Sequence, residues 1–195
     1  MLKSFLTNHN IILASGSPRR QQFFKELDIP FTIQLKPVDE VYPAHLKGKE
    51  ISEYLAVLKA AAFTGLKKND ILITGDTIVI HNGNYLGKPK DTTDAFQMLQ
   101  TLSGSSHEVI SSVCFTPAER QIVVSDTAKV YFKELSEAEI RFYIENYKPF
   151  DKAGAYGIQE WIGAIGVTKI EGSYNTVMGL PTHLVYKTLM EFAAR

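Results

Sequence analysis

The segment Ala14-Ser-Gly-Ser-Pro-Arg-Arg20 sets two hydroxyls and two guanidiniums around a glycine. It follows the apolar run Ile11-Ile-Leu-Ala14 and precedes Phe23, Phe24 and Leu27 at helical spacing, so it reads as a loop between a strand and a helix. Free N–H groups at a helix N-terminus attract anions, and hydroxyls and guanidiniums add donors suited to phosphate oxygens. The same residues also make an ordinary helix start, with Ser17 as cap, Pro18 in the first turn and solvated arginines, and both readings stand at this point. A P-loop is excluded, because the nearest approach to one, Asn82-Gly-Asn-Tyr-Leu-Gly-Lys88, has Asn82 and Pro89 at the two deciding positions. No Gly-x-Gly-x-x-Gly occurs either, which disfavours a dinucleotide-binding unit.

Gly75-Asp76-Thr77 places a carboxylate at the end of a buried apolar strand, the position where α/β sheets present ligand-binding groups. An ionised Asp76 there could hold a divalent cation, take a proton from water, or do both in different steps. Asp39-Glu40 could supply a second carboxylate, or could be an acidic loop. Lys59 lies on the apolar Leu55 to Ala62 helical stretch, and Lys88 in the rigid turn Leu86-Gly-Lys-Pro89. Either ammonium could neutralise phosphate or simply reach solvent. Asp151-Lys-Ala-Gly-Ala-Tyr-Gly-Ile-Gln159 is a small-residue loop ending in an amide that donates and accepts at once, as a base edge requires. Five scattered histidines and one cysteine offer no zinc spacing, and no Gly-x-Ser-x-Gly elbow is present. His107, after Ser103-Gly-Ser-Ser106, reads as a loop histidine, with ligand contact as the alternative.

The elements that must position these groups follow from periodicity. Strands are expected at Ile11 to Ala14, Phe31 to Leu35, Glu108 to Phe115, Gln121 to Phe132 and Val167 to Ile170. Two more, Asp70 to Thr74 and Ile78 to Ile80, are expected on either side of an interruption at Gly75-Asp76-Thr77. His81-Asn-Gly-Asn84 signals a hairpin. Helices are expected at Arg19 to Leu27, Ile51 to Thr64 and Thr93 to Leu102. A further helix opens on the capping box Ser136-Glu-Ala-Glu139 and runs to about Tyr147, and the last spans about Thr182 to Ala194. Interleaved strands and helices without a linker or repeat predict one mixed α/β domain over 1–195, with a sheet that is not purely parallel.

Composition narrows the function classes. Of 195 residues 45% are hydrophobic and 22% charged, which is the make-up of a globular protein. Twenty-one basic residues balance twenty-one acidic ones, so there is no bulk field for a nucleic-acid backbone and any phosphate must be met locally. No apolar run approaches a membrane span, and the N-terminal residues lack a secretory leader. With the lone Cys114, this predicts a cytoplasmic protein without membrane or nucleic-acid partners.

Taken in order, Leu13 to Arg20, Asp39-Glu40, Gly75-Asp-Thr77, Leu86-Gly-Lys-Pro89, Ser103-Gly104 with His107, Asp151 to Gln159, Ile170-Glu-Gly-Ser-Tyr174 and Gly179-Leu-Pro181 resemble the Maf family over nearly the whole chain. The resemblance implies an elongated, twisted mixed sheet with flanking helices forming two lobes around a cleft, similar to inosine triphosphate pyrophosphatases. It implies a nucleoside triphosphate pyrophosphatase dependent on Mg²⁺ or Mn²⁺. The loop ending at Gln159 looks like the subgroup acting on dTTP and UTP, with house-cleaning of modified pyrimidine nucleotides as an associated role. It makes Asp76 the proton acceptor and Arg19, Thr77 and Gln159 the specificity positions. Ser15, Glu40, Lys59 and Lys88 match further polar positions, with Glu40 and Asp76 as metal ligands. A homodimer is compatible with this reading. Two departures stand out: Gly75 where many members have Ala, and Glu160 after Gln159 where many have Gly. The alternatives are a nucleotidyltransferase and a nucleotide-binding regulator of cell division or septum formation without turnover.

Overall fold

A computed structural model describes residues 2–118 and 120–193. Seven strands form one mixed sheet: β1 (Asn10–Leu13), β2 (Thr32–Ile33), β3 (Asp70–His81), β4 (Asn84–Leu86), β5 (Ser106–Pro117), β6 (Ile122–Phe132) and β7 (Val167–Glu171). Their order is β2-β1-β3-β5-β6-β7, with β4 paired to β3. The helices are α1 (Leu2–Phe5), α2 (Pro18–Glu26), α3 (Lys49–Ala61), α4 (Thr92–Leu102), α5 (Glu137–Tyr147), α6 (Trp161–Gly166), α7 (Tyr174–Met178) and α8 (Thr182–Ala193). The expected mixed α/β class is what the chain adopts. Ala194, where the last helix was expected to end, lies outside the described residues.

The described residues group into two compact units. The first comprises the chain up to Asp76, Ser111–Asp126 and the chain from Gly179; the second comprises Thr77–Ile110 and Thr127–Met178.

In the first unit β1 lies parallel to β3, with Ile11 opposite Ile71 and Leu13 opposite Ile73. The apolar run predicted this strand because both its faces are covered: Ile11, Ile12 and Leu13 are all buried. Ile12 and Leu72 pack with Ala56 and Ala60 of α3 and with Cys114, which is a buried free thiol. Ser17 caps α2 by accepting from the Arg20 N–H, and Pro18 occupies its first turn. The strand expected over Phe31 to Leu35 shortens to Thr32–Ile33. It is an edge strand with only β1 to pair with, and the Phe31 ring leaves the ladder to pack edge-on against Phe24 at 5.4 Å.

One expectation about β3 was wrong. Gly75-Asp76-Thr77 does not interrupt it; the strand runs unbroken from Asp70 to His81. Its polar side chains are taken up by partners rather than by water. Thr74 Oγ donates to the Ala56 carbonyl at 2.7 Å, and Asp76 meets Lys59. Tertiary partners therefore make a polar triplet compatible with a buried ladder.

In the second unit Asn82 and Gly83 both take positive φ, the two-residue turn that the hairpin signal demands, and return the chain as β4. The capping box of α5 forms as the sequence predicts, with reciprocal bonds between Ser136 and Glu139. Its Ile140, Tyr143 and Ile144 pack with Ala95, Leu99 and Leu102 of α4 and with Tyr156, Ile158 and Ile162. The short helices α1, α6 and α7 carried too few turns for a periodic signal.

Candidate active site

Alternation along β3 turns Leu72, Thr74 and Asp76 to the face covered by α3. Leu72 packs on Ala56 and Ala60, Thr74 bonds to the Ala56 carbonyl, and the next position along meets Lys59. Lys59 Nζ lies 2.6 Å from Asp76 Oδ1 and 3.1 Å from Glu40 Oε1. A residue from a strand, one from a helix and one from a loop thus converge on one point. The Asp76 side chain is only 10% exposed, which shields the pair from screening, whereas Glu40 at 43% faces solvent. The acidic-loop reading of Glu40 gives way to a defined contact with Lys59; Asp39 is exposed.

Among the described residues no group of three or more His, Cys, Asp or Glu side chains is placed to hold a metal ion. Two carboxylates nevertheless share one cationic centre at Lys59. That donor set suits Mg²⁺, which binds through one or two carboxylates and takes its other ligands from water and substrate phosphates.

Ser15 is buried, its Oγ accepting from the Ser17 N–H at 3.3 Å and its carbonyl from the Gln21 amide at 3.2 Å. Arg19 is half-buried on the first turn of α2. The sequence reading grouped its neighbour Arg20 with it as a phosphate donor, and the structure separates them. Arg20 donates from Nη1 to the Gly75 carbonyl at 2.8 Å and from Nε to the Gly179 carbonyl at 2.9 Å. Desolvation lowers the Arg20 pKa below the usual guanidinium value, while the charge of Asp76 opposes that shift, so the two groups feel each other's field. A Cβ on Gly75 would come within 2.9 Å of the Ser112 carbonyl oxygen, so in this chain the glycine permits a close backbone approach beside Asp76.

The remaining candidates belong to the second unit. Thr77 is half-buried on β3, Lys88 is exposed in its turn, and Gln159 is exposed between buried Ile158 and half-buried Glu160. The Gly154 N–H donates to the Gly87 carbonyl at 3.0 Å, tying the turn that carries Lys88 to the segment that leads to Gln159. His107 is not a ligand contact in this arrangement. It is 2% exposed on β5, with Nε2 2.7 Å from the Tyr156 hydroxyl and its ring stacked on Phe132. Burial pushes its pKa down to about 3.

Sequence reasoning missed a second charged group. Lys152 is buried, with Nζ 2.7 Å from Asp151 and 3.1 Å from Glu160, and Glu160 also accepts from the Tyr143 hydroxyl. The signals in the sequence were a lysine among small residues and the departure at Glu160; their meeting with Tyr143 was hidden, since that residue comes from a separate helix.

The family model described as Maf-like protein matches residues 10–192. A dTTP/UTP pyrophosphatase of Christiangramia forsetii is 59% identical over 192 residues, covering 98% of each chain. A protein of the same name from Flavobacterium johnsoniae is 60% identical, covering 97% of this chain and 98% of its own, and one from Bacteroides fragilis is 46% identical, covering 95% and 97%. Among solved structures, the Ham1 protein of Staphylococcus aureus aligns with 63% of this chain and 71% of its own at 17% identity, with a TM-score of 0.46.

Proposed function

Since this chain belongs to the Maf family, we propose that it hydrolyses dTTP and UTP to the monophosphate and pyrophosphate, with Asp76 as the acceptor of the water proton. The observation that carries the reading is the convergence of Glu40, Lys59 and Asp76. It joins a shielded carboxylate able to take a proton, an ammonium able to meet phosphate charge, and a second carboxylate.

In the reaction, water oxygen attacks the α-phosphorus, the α–β anhydride bond breaks, and pyrophosphate leaves with the bonding pair. Asp76 receives the proton of the attacking water. Lys59, with Arg19 and Lys88, offsets the charge of the triphosphate, and Ser15 adds a hydroxyl at the start of α2. Glu40 and Asp76 are the residues that would hold Mg²⁺ or Mn²⁺, which when bound supplies Lewis-acid stabilisation of phosphate charge. The Arg20 bond to the Gly75 carbonyl steadies the backbone next to the proton acceptor.

Uracil and thymine present an N3–H donor beside a C4 carbonyl, and the amide of Gln159 complements that pair, whereas cytosine reverses it. Thr77 offers a hydroxyl as a further specificity contact. A panel of UTP, dTTP, CTP and GTP, assayed for pyrophosphate release with Mg²⁺ and with Mn²⁺, tests the assignment. Release from UTP and dTTP that disappears in Asp76→Asn supports it; nucleotide binding without pyrophosphate release defeats it.

A further inference from the structure

Gln159 sits inside a closed circuit of hydrogen bonds. The Gly157 N–H donates to the Tyr143 phenol oxygen at 3.0 Å, the Tyr143 hydroxyl donates to Glu160 Oε2, and the Glu160 N–H returns to the Gly157 carbonyl at 3.0 Å. The circuit encloses Ile158 and Gln159. Its direction follows from proton count, because the phenol oxygen already accepts from an amide and so its single proton goes to the carboxylate. Burial first, then the hydrogen bond to Glu160 and its charge, raise the Tyr143 pKa, which keeps that proton in place.

Lys152 completes the arrangement. Its ammonium, 9% exposed, meets Glu160 Oε1 at 3.1 Å and supplies the counter-charge that a carboxylate only 19% exposed requires. The two side chains crowd the loop: a Cβ on Gly157 would lie 2.8 Å from Glu160 Cδ and 3.0 Å from Lys152 Cε. Tyr143 itself is fully buried in the core between α4 and α5, so the circuit is anchored to a rigid element.

We propose that Tyr143, Glu160 and Lys152 are positioning residues for base selection, clamping the backbone on both sides of Gln159 so that its exposed amide is presented in one place. This rests on the reading of Gln159 as the residue that meets the pyrimidine edge. A loop that moves can carry its amide toward or away from a base edge, whereas a fixed backbone holds Gln159 at one distance from it, so a misfit is not relieved by movement of the chain. Glu160 therefore acts on selectivity through the chain and not by touching the base.

The test compares kcat/KM for UTP and CTP in the wild type, Gln159→Ala, Tyr143→Phe, Glu160→Ala and the double variant Tyr143→Phe/Gln159→Ala, with thermal midpoints alongside. The expected result is that Tyr143→Phe and Glu160→Ala each lower the UTP-over-CTP ratio about tenfold, and that Tyr143→Phe has no further effect on the ratio once Gln159 is alanine. A purely structural role would lower both rates together and leave the ratio alone. If Tyr143→Phe does not fold, Glu160→Ala with Glu160→Ala/Gln159→Ala decides the matter in the same way. An unchanged ratio in folded single variants, or an effect that adds to that of Gln159→Ala, overturns the clamp while the Gln159 reading stands. If Gln159→Ala itself leaves the ratio unchanged, the base is read elsewhere and both fall.

Discussion

Arg20 holds the carbonyl of Gly75, the residue immediately before Asp76, through a 2.8 Å bond from Nη1, while its Nε holds Gly179. One guanidinium thus joins the middle of β3, next to Asp76, to a distant turn.

Replacing Arg20 by Met should cost about 2–4 kcal/mol in urea unfolding, because two carbonyls lose a charged donor. The turnover of the folded fraction should fall with it, since the backbone beside Asp76 is released. Arg19→Met should raise KM for UTP and dTTP alike. An unchanged KM in Arg19→Met, or undiminished stability in Arg20→Met, would refute this.

Asp76→Asn should keep the fold and lower kcat by ~10²–10⁴-fold, the range lost when a general base is removed. The amide can still accept from Lys59, so the contact at 2.6 Å need not collapse. Circular dichroism and pyrophosphate release on the same sample check both halves. Near-wild-type turnover would remove Asp76 from the mechanism.

Lys59→Met leaves Glu40 and Asp76 facing each other without the ammonium that both now contact. In the absence of nucleotide, Mn²⁺ affinity measured by calorimetry should rise by something on the order of tenfold, since a competing positive charge is gone. Turnover should nevertheless drop, because the triphosphate loses that same charge. Unchanged or weaker Mn²⁺ binding would show that the two carboxylates do not act together on a cation.

The depressed pKa of His107 makes a prediction about acid stability. Its folded value of about 3 lies below the ordinary histidine value of 6.5, so the unfolded chain binds a proton that the folded chain does not between those limits. Its contribution is therefore complete above about pH 6.5 and is lost as pH falls toward 3, at up to roughly 1.4 kcal/mol per pH unit. His107→Gln should flatten the dependence of unfolding free energy on pH in this window. Parallel curves for the two proteins would contradict it.

Lys88→Ala should reduce kcat/KM for dTTP and UTP by similar factors, consistent with a contact to phosphate and not to the base. A loss of ~3–4 kcal/mol of transition-state stabilisation is the usual scale for such a donor. Altered preference among bases in this variant would place Lys88 at the other end of the substrate.

Local chemistry alone determined much of this protein. The Asn82-Gly83 turn, the Ser136 capping box, the Ser17-Pro18 helix start and the buried β1 each depend on a few neighbouring residues, so their spacing was sufficient to specify them. The motifs in order were enough to indicate the family, and the polar character of Asp76 within an apolar run marked it out before any contact was known. What the chain spacing could not contain was which charge meets which. Glu40, Lys59 and Asp76 come from a loop, a helix and a strand, and Tyr143 reaches Glu160 and Lys152 from a separate helix. For the same reason β3 runs through Gly75-Asp76-Thr77 although its local composition argues for a break: the energy that keeps polar groups in a buried strand comes from partners distant in sequence. The bonds of Arg20 were likewise invisible, because only folding brings the carbonyls of Gly75 and Gly179 within reach of its guanidinium.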